Sequence, residues 1–171
     1  MKWIKKGLVF PVNGQKDWML SHGTHPLSLM LSDQVVRVYF SSRAEGPVSH
    51  IGFFDMNLIT EEIIRVSDKP VISPGPLGHF DDYGTYTGSM VRVDNQTIYM
   101  YYLGWNPGKE GAMFYSNIGL AVSRDNGETF TKYANTPIMG RGEHDPSGVL
   151  IPFVMKEGDD WKMWYGSTIK W

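Results

Sequence analysis

Val36–Ser42 reads VRVYFSS, Ile98–Gly104 reads IYMYYLG and Trp161–Ser167 reads WKMWYGS. Each segment has apolar residues at its first and third positions, then two aromatics, then a small residue near its end. Their starts, at 36, 98 and 161, lie 62 and 63 residues apart. Working outward, each is preceded by another apolar stretch and a polar turn. These are PLSLML before Ser32-Asp33-Gln34, GSMVRV before Asp94-Asn95-Gln96, and IPFVM before the turn at 156–160. The first two are followed by a Gly-bearing stretch, HIGFFDM from His50 and NIGLAVS from Asn117. The third stops at Trp171, before such a stretch could occur.

A four-stranded unit recurring at roughly this period predicts an all-β fold of β-propeller type. Each blade of a propeller is apolar on both faces because it packs between neighbours. Its strands therefore read as aromatic runs rather than strict alternation. The competing fold is a β-sandwich with coincidental similarity. Helical periodicity is nearly absent, and its best window, Thr60 to Val66, reads equally well as a strand. The run Ser123–Phe130, S-x-D-x-G-x-T-F, matches the Asp-box hairpin turn. There an Asp accepts backbone N–H bonds and a Gly takes the left-handed position, so Asp125 is assigned to structure and not to catalysis.

Composition bounds the rest. The chain has 171 residues, 42% of them apolar and 20% charged, the mark of a globular domain. A net charge of −2 argues against a nucleic-acid partner and against binding an anionic membrane surface. No apolar run approaches 18 residues, so no spanning helix is expected. The start, MKWIKKGLVFPVNG, is basic but has too short an apolar stretch for a signal peptide, and a cytoplasmic location is expected. Cys is absent, which excludes disulfides and Cys-ligated metal centres.

The expected organisation is one partial propeller domain over 1–171. It has a lead-in at 1–20, blade one at 21–78, blade two at 79–141 and the first half of blade three at 142–171. Fewer than three periods cannot close a ring of four to eight blades. Either the chain is a piece of a longer protein or copies complete each other, and the open blade edge offers self-association.

In a propeller the first strand of each blade lines the central channel, so polar residues at its start face the funnel. Counting back 19 residues from Tyr101 and from Trp164 reaches Asp82 and Asp145, with Glu143 two residues before the latter. Converging carboxylates are what glycoside cleavage needs: a protonated acid for the leaving oxygen, and an ionised base or nucleophile. Either Asp could instead be a turn residue that satisfies backbone amides. The same region of the first repeat, WMLSHGTHPL, carries His22 and His25 and no carboxylate. As zinc ligands these would need a third partner, such as Glu143 or His144, and their spacing on a strand is not diagnostic, so no metal is assigned. No residue demands a cofactor. Trp105, in the loop LGWNPGKEG, could stack on a sugar face or pack on its own blade. Arg141, and more weakly Arg43, could bind a carboxylate or phosphate. The aromatics of YMYY and KMWY are assigned to blade packing. The loop SPGPLGHFDDYG has no strand-to-helix context and is not a phosphate loop.

FDDYGTYTGSMV, IYMYYLGWN, NIGLAVSRDNGETF and HDPSGVLIPFVMKEGDDWKMWYGS together resemble the five-bladed glycosidase-like propellers. This is the superfamily around arabinanases, fructan-cleaving invertases and mannoside phosphorylases. The chain looks closest to uncharacterised cytoplasmic glycosyl hydrolase-like members. The resemblance covers roughly Ser21 to Trp171. It implies a carbohydrate ligand and acid-assisted cleavage of a glycosidic bond by water or phosphate. The alternative is a non-catalytic carbohydrate-binding module, or an inactive fragment that needs a partner. By the same resemblance Asp82, or adjacent Asp81, would be the orienting and pKa-tuning carboxylate. Glu143 would be the general acid, with Asp145 nearby. The blade-one carboxylate of the family pattern is missing, and His22 or His25 stands in its region. His22, His25, Asp81, Trp105, Arg141 and His144 are then the substrate-binding candidates. Five blades in the resembling proteins imply that the C-terminal two-fifths lie beyond this chain.

Overall fold

The computed structural model describes residues 2–171; Met1 lies outside them. Among the described residues every regular element is a strand. Blade one is an antiparallel meander of β1 (Ser21–Met30), β2 (Val35–Arg43), β3 (Ser49–Asn57) and β4 (Ile63–Val66). Of the ambiguous window at 60–66, only the last four residues form the strand, paired to β3. Blade two repeats the order with β5 (Gly84–Arg92), β6 (Ile98–Pro107), β7 (Phe114–Ser123) and the two-residue β8 (Thr131–Lys132). The hairpin of β9 (Gly148–Glu157) and β10 (Asp160–Thr168) begins blade three. The fold is a β-propeller of about two and a half blades. One parallel pairing, Ser49 with Gly84, links the first two sheets. The first strands lie side by side, with β5 touching both β1 and β9.

Both faces of the middle blade are covered, which is why its strands are apolar runs. Against blade one it buries Met100 and Tyr102 with Tyr39, Ile51, Phe53 and Ile72. Against blade three it buries Tyr101 and Val91 with Val154. The outer face of blade one is capped by the lead-in, whose Phe10, Trp18 and Met19 pack on Phe40 and Phe54.

Blades one and two are also clamped by charge. The buried Arg37 donates to both oxygens of Asp55, at 2.7 and 2.9 Å, and pairs with Glu128 at 2.9 Å. Arg65 bridges the same two carboxylates. Burial alone would raise the Asp55 pKa, but the two guanidiniums more than reverse it and hold it below its ordinary value. The turn at 123–130 is tied across this interface. Asp125 accepts from the Thr129 N–H (2.9 Å), the Thr129 hydroxyl (2.6 Å) and the Ser123 hydroxyl (2.7 Å). Gly127, at φ +84°, turns its carbonyl to the Tyr39 hydroxyl (2.5 Å) and the Arg37 guanidinium (3.0 Å). Asp125 is thus occupied in structure.

The expectation that KMWY packs like YMYY is corrected. Tyr102 is fully buried, whereas Trp164 and Phe153 are more than half exposed. Both faces of blade two have neighbours, while among the described residues nothing covers the outer face of β9–β10.

Candidate functional site

The loops that lead into the first strands do not place their carboxylates where the repeat count puts them. Trp18, Asp81 and Asp145 each stand three residues ahead of the first strand of their blade. Asp81, not Asp82, is therefore the counterpart of Asp145. The count from the aromatic strand fails because it passes through a hairpin. Tyr101 pairs with Ser89 and Trp164 with Phe153, each partner five residues into its first strand, but the paired positions lie 12 residues apart in blade two and 11 in blade three, so the offset to the aromatic strand differs by one.

Asp81 and Asp145 are both buried, and both accept a tyrosine hydroxyl: Tyr102 at 2.9 Å and Tyr165 at 3.1 Å. Lys132 adds an ion pair to Asp81 at 2.6 Å. Burial and the adjoining carboxylate drive the Tyr102 pKa up, so its hydroxyl stays a donor. Room for this pair comes from glycines. A Cβ at Gly119 would sit 2.4 Å from the Tyr102 ring, and one at Gly104 would sit 2.5 Å from Asp81 Cβ. Asp82 is half-buried and caps its own loop, accepting from the Gly78 N–H (2.7 Å) and the Asn106 amide (2.5 Å). Glu143, His144 and Arg141 are exposed on the 141–147 loop, and the Arg141 guanidinium stands over the Tyr115 ring at 4.5 Å. Asp82 and Asp145 are thus each engaged by neighbouring groups, while Glu143 is exposed.

A pocket of about 410 Å³ lies where the strands of the three blades meet. His25 and Arg43 come from blade one, Tyr86, Leu103, Trp105 and Phe114 from blade two, and Leu150 and Ile151 from blade three. Its wall is mainly apolar and aromatic. Trp105 is held by its indole N–H on Ser49 Oγ (3.0 Å) and by edge contacts with Tyr83 and Phe114. Of the sequence candidates, His25, Trp105 and the weaker candidate Arg43 line this pocket. Asp81, Asp82, Glu143, Asp145, His22, His144 and Arg141 do not. Among the described residues no group of three His, Asp or Glu could hold a metal ion.

Two features of the pocket have no clear sequence signal. The first is strain in β1, whose register slips on both sides of Thr24. His22 and His25 sit in those slips at φ +62° and +53°, a left-handed conformation that non-glycine residues rarely adopt. The bulges are tied down where the Thr87 hydroxyl donates to the His25 carbonyl. Tyr86 covers part of the His25 ring (centroids 5.0 Å apart), and that desolvation lowers the His25 pKa. The second is Arg43, at the end of β2. Its Nε is buried and has no hydrogen-bond partner among the described residues. An orphaned buried donor costs about 1–3 kcal/mol, which a bound acceptor would recover.

The family model described as glycosyl hydrolases family 32 N-terminal domain matches residues 57–170. The chain belongs to that family. Two curated Mycobacterium tuberculosis proteins are similar to this family 32 chain. They are uncharacterized protein MT1551 of strain CDC 1551 / Oshkosh and uncharacterized protein Rv1502 of strain ATCC 25618 / H37Rv. Each is 34% identical over 172 residues, covering 100% of this chain and 56% of its own length. The chain thus spans about half the length of the curated relatives it matches. Solved structures share the fold. One described as a glycoside hydrolase superposes with TM-score 0.69 at 18% identity, over 96% of this chain and 53% of its own. One described as a complex of BT0996 and RGII gives 0.68 at 17% identity, over 92% and 51%. A glycosyl hydrolase from Bacteroides ovatus gives 0.61 at 14% identity, over 87% and 45%.

Proposed function

We propose that this family 32 chain binds a carbohydrate in the His25–Tyr86–Trp105 pocket and brings that pocket to a glycoside hydrolase-like activity. The observation that carries the reading is the pocket itself. It is an aromatic-walled cavity where the blades converge, with Trp105 locked by Ser49 and Phe114 as a flat platform. The axial C–H groups of a pyranose pack on such a ring, while its hydroxyls reach polar groups on the rim. The family match and the RGII-bound neighbour favour a sugar over other ligands of the same shape.

Cleavage would be acid-assisted, with a carboxylic acid protonating the leaving oxygen. Asp81 and Asp145 are engaged by tyrosines, and Asp82 by its own loop. Glu143 is exposed and has no hydrogen-bond or ion-pair partner among the described residues, which leaves it as the acid of this reading. Hydrolysis of a panel of aryl glycosides by the chain and by Glu143→Gln tests the assignment. Turnover should fall at least about 100-fold in the variant while binding persists, the contribution expected of a general acid. Equal turnover in both removes Glu143 from the role. Binding without turnover in either favours the second reading, a carbohydrate-binding module. The specific observation behind that reading is that among the described residues no carboxylate lines the pocket.

A further inference from the structure

We propose that the pocket takes a carbohydrate bearing an oxyanion, a carboxylate or a phosphate, with the Arg43 guanidinium as the anion's partner. This rests on the carbohydrate reading of the same pocket and names the class of sugar.

Three observations carry it. First, Arg43 lines the cavity and its Nε is buried without a partner among the described residues. The other arginines at the blade junctions are spoken for. Arg37 and Arg65 share Asp55 and Glu128, Arg92 donates to Asn126, and Arg141 stacks on Tyr115. Second, among the described residues no carboxylate lines the pocket, so this wall holds nothing to neutralise the guanidinium. A cation in an apolar wall calls for an anion, and the low local dielectric strengthens that pairing. The planar fork of five donors matches a carboxylate or phosphate in a bidentate way. Third, the backbone that carries this side chain is fixed. Arg43 pairs with Ser21 across β1–β2, and its carbonyl accepts from the Leu20 N–H at 2.8 Å. His25, on the opposite strand of the hairpin, has its pKa lowered by burial, so near neutral pH it adds a hydrogen-bonding group and not a second charge.

The test is isothermal titration calorimetry on the full chain with glucose, galactose and mannose, each beside its uronic acid and its 6-phosphate, and with inorganic phosphate alone. The acidic member of a pair should bind about tenfold or more tightly than its neutral parent, with the preference shrinking as salt is raised. Arg43→Gln should abolish the preference for the acidic member of each pair. Arg43→Lys should keep only part of it, because the charge remains and the fork is lost. If the Gln variant does not fold, the wild-type comparison of acid against neutral still decides. Equal binding of acidic and neutral sugars overturns the anion inference and leaves the carbohydrate reading standing. An acid preference that survives in Arg43→Gln also overturns it. Arg43-dependent binding of inorganic phosphate, with no binding of any sugar, upholds the anion site and overturns the carbohydrate reading. Failure of every probe to bind overturns both.

Discussion

Blades one and two solve the same packing problem with opposite chemistry. Phe40 and Tyr102 hold equivalent places in their aromatic strands, and Trp18 and Asp81 hold equivalent places ahead of the first strand. In blade two the Tyr102 hydroxyl donates to Asp81, and Lys132 neutralises the carboxylate. In blade one there is neither hydroxyl nor carboxylate. Trp18 packs with Phe40 at 6.1 Å between ring centroids, and its ring lies directly over Gly52, where a Cβ would approach to 2.0 Å. Blade three follows blade two, with Tyr165 on Asp145. The lesson concerns function. The carboxylates ahead of the first strands of blades two and three each accept a tyrosine hydroxyl, a pairing that the two blades repeat. The blade that lacks the pair is the one whose first strand carries His25 to the pocket.

The contrast can be broken most severely at Asp81. Asp81→Ala strands a buried tyrosine hydroxyl and leaves Lys132 without its counter-ion, and should cost about 3 kcal/mol in urea unfolding. A loss under roughly 1 kcal/mol would mean that the pair is not structural. Next is Phe40→Tyr, which gives blade one a hydroxyl with no carboxylate to receive it. It should destabilise by about 1–3 kcal/mol. A neutral result would show that blade one can host either chemistry.

The clamp between these blades should show in acid. Asp55 has a depressed pKa in the fold, so its contribution is fully present above the ordinary carboxylate pKa of about 4 and is lost as pH falls below it. Asp55→Asn should therefore flatten the fall in stability between about pH 5 and pH 3. An unchanged slope would place the acid sensitivity elsewhere. The smallest effect is expected from Tyr165→Phe. The Tyr165 ring is 37% exposed, so water can replace the lost hydrogen bond, and the melting midpoint should move less than that of Phe40→Tyr.

The fold is legible in the sequence because the constraint that makes it is repeated. Strands buried on both faces must be apolar throughout, and three aromatic runs 62 and 63 residues apart expose that directly. The site is only partly legible. Trp105 and His25 stand out by their place at the ends and starts of strands. The repeat count favours Asp82 over Asp81 because counting along the chain cannot register that one hairpin turn is longer than another. The left-handed backbone at His22 and His25 carries no residue signal, since glycine would be the usual choice there. Arg43 gives only a weak signal, because its isolation is a property of its surroundings: its neighbours in the chain say nothing of the walls that blades two and three bring to it.

The central claim is that a sugar sits against Trp105. Saturation-transfer difference NMR with a panel of mono- and oligosaccharides, on the chain and on Trp105→Ala, tests it most directly. Transfer is expected from the protein to the ring C–H protons of at least one panel member, with its loss in Trp105→Ala. Transfer that persists in the variant, or none from the folded wild-type chain to any panel member, would contradict it.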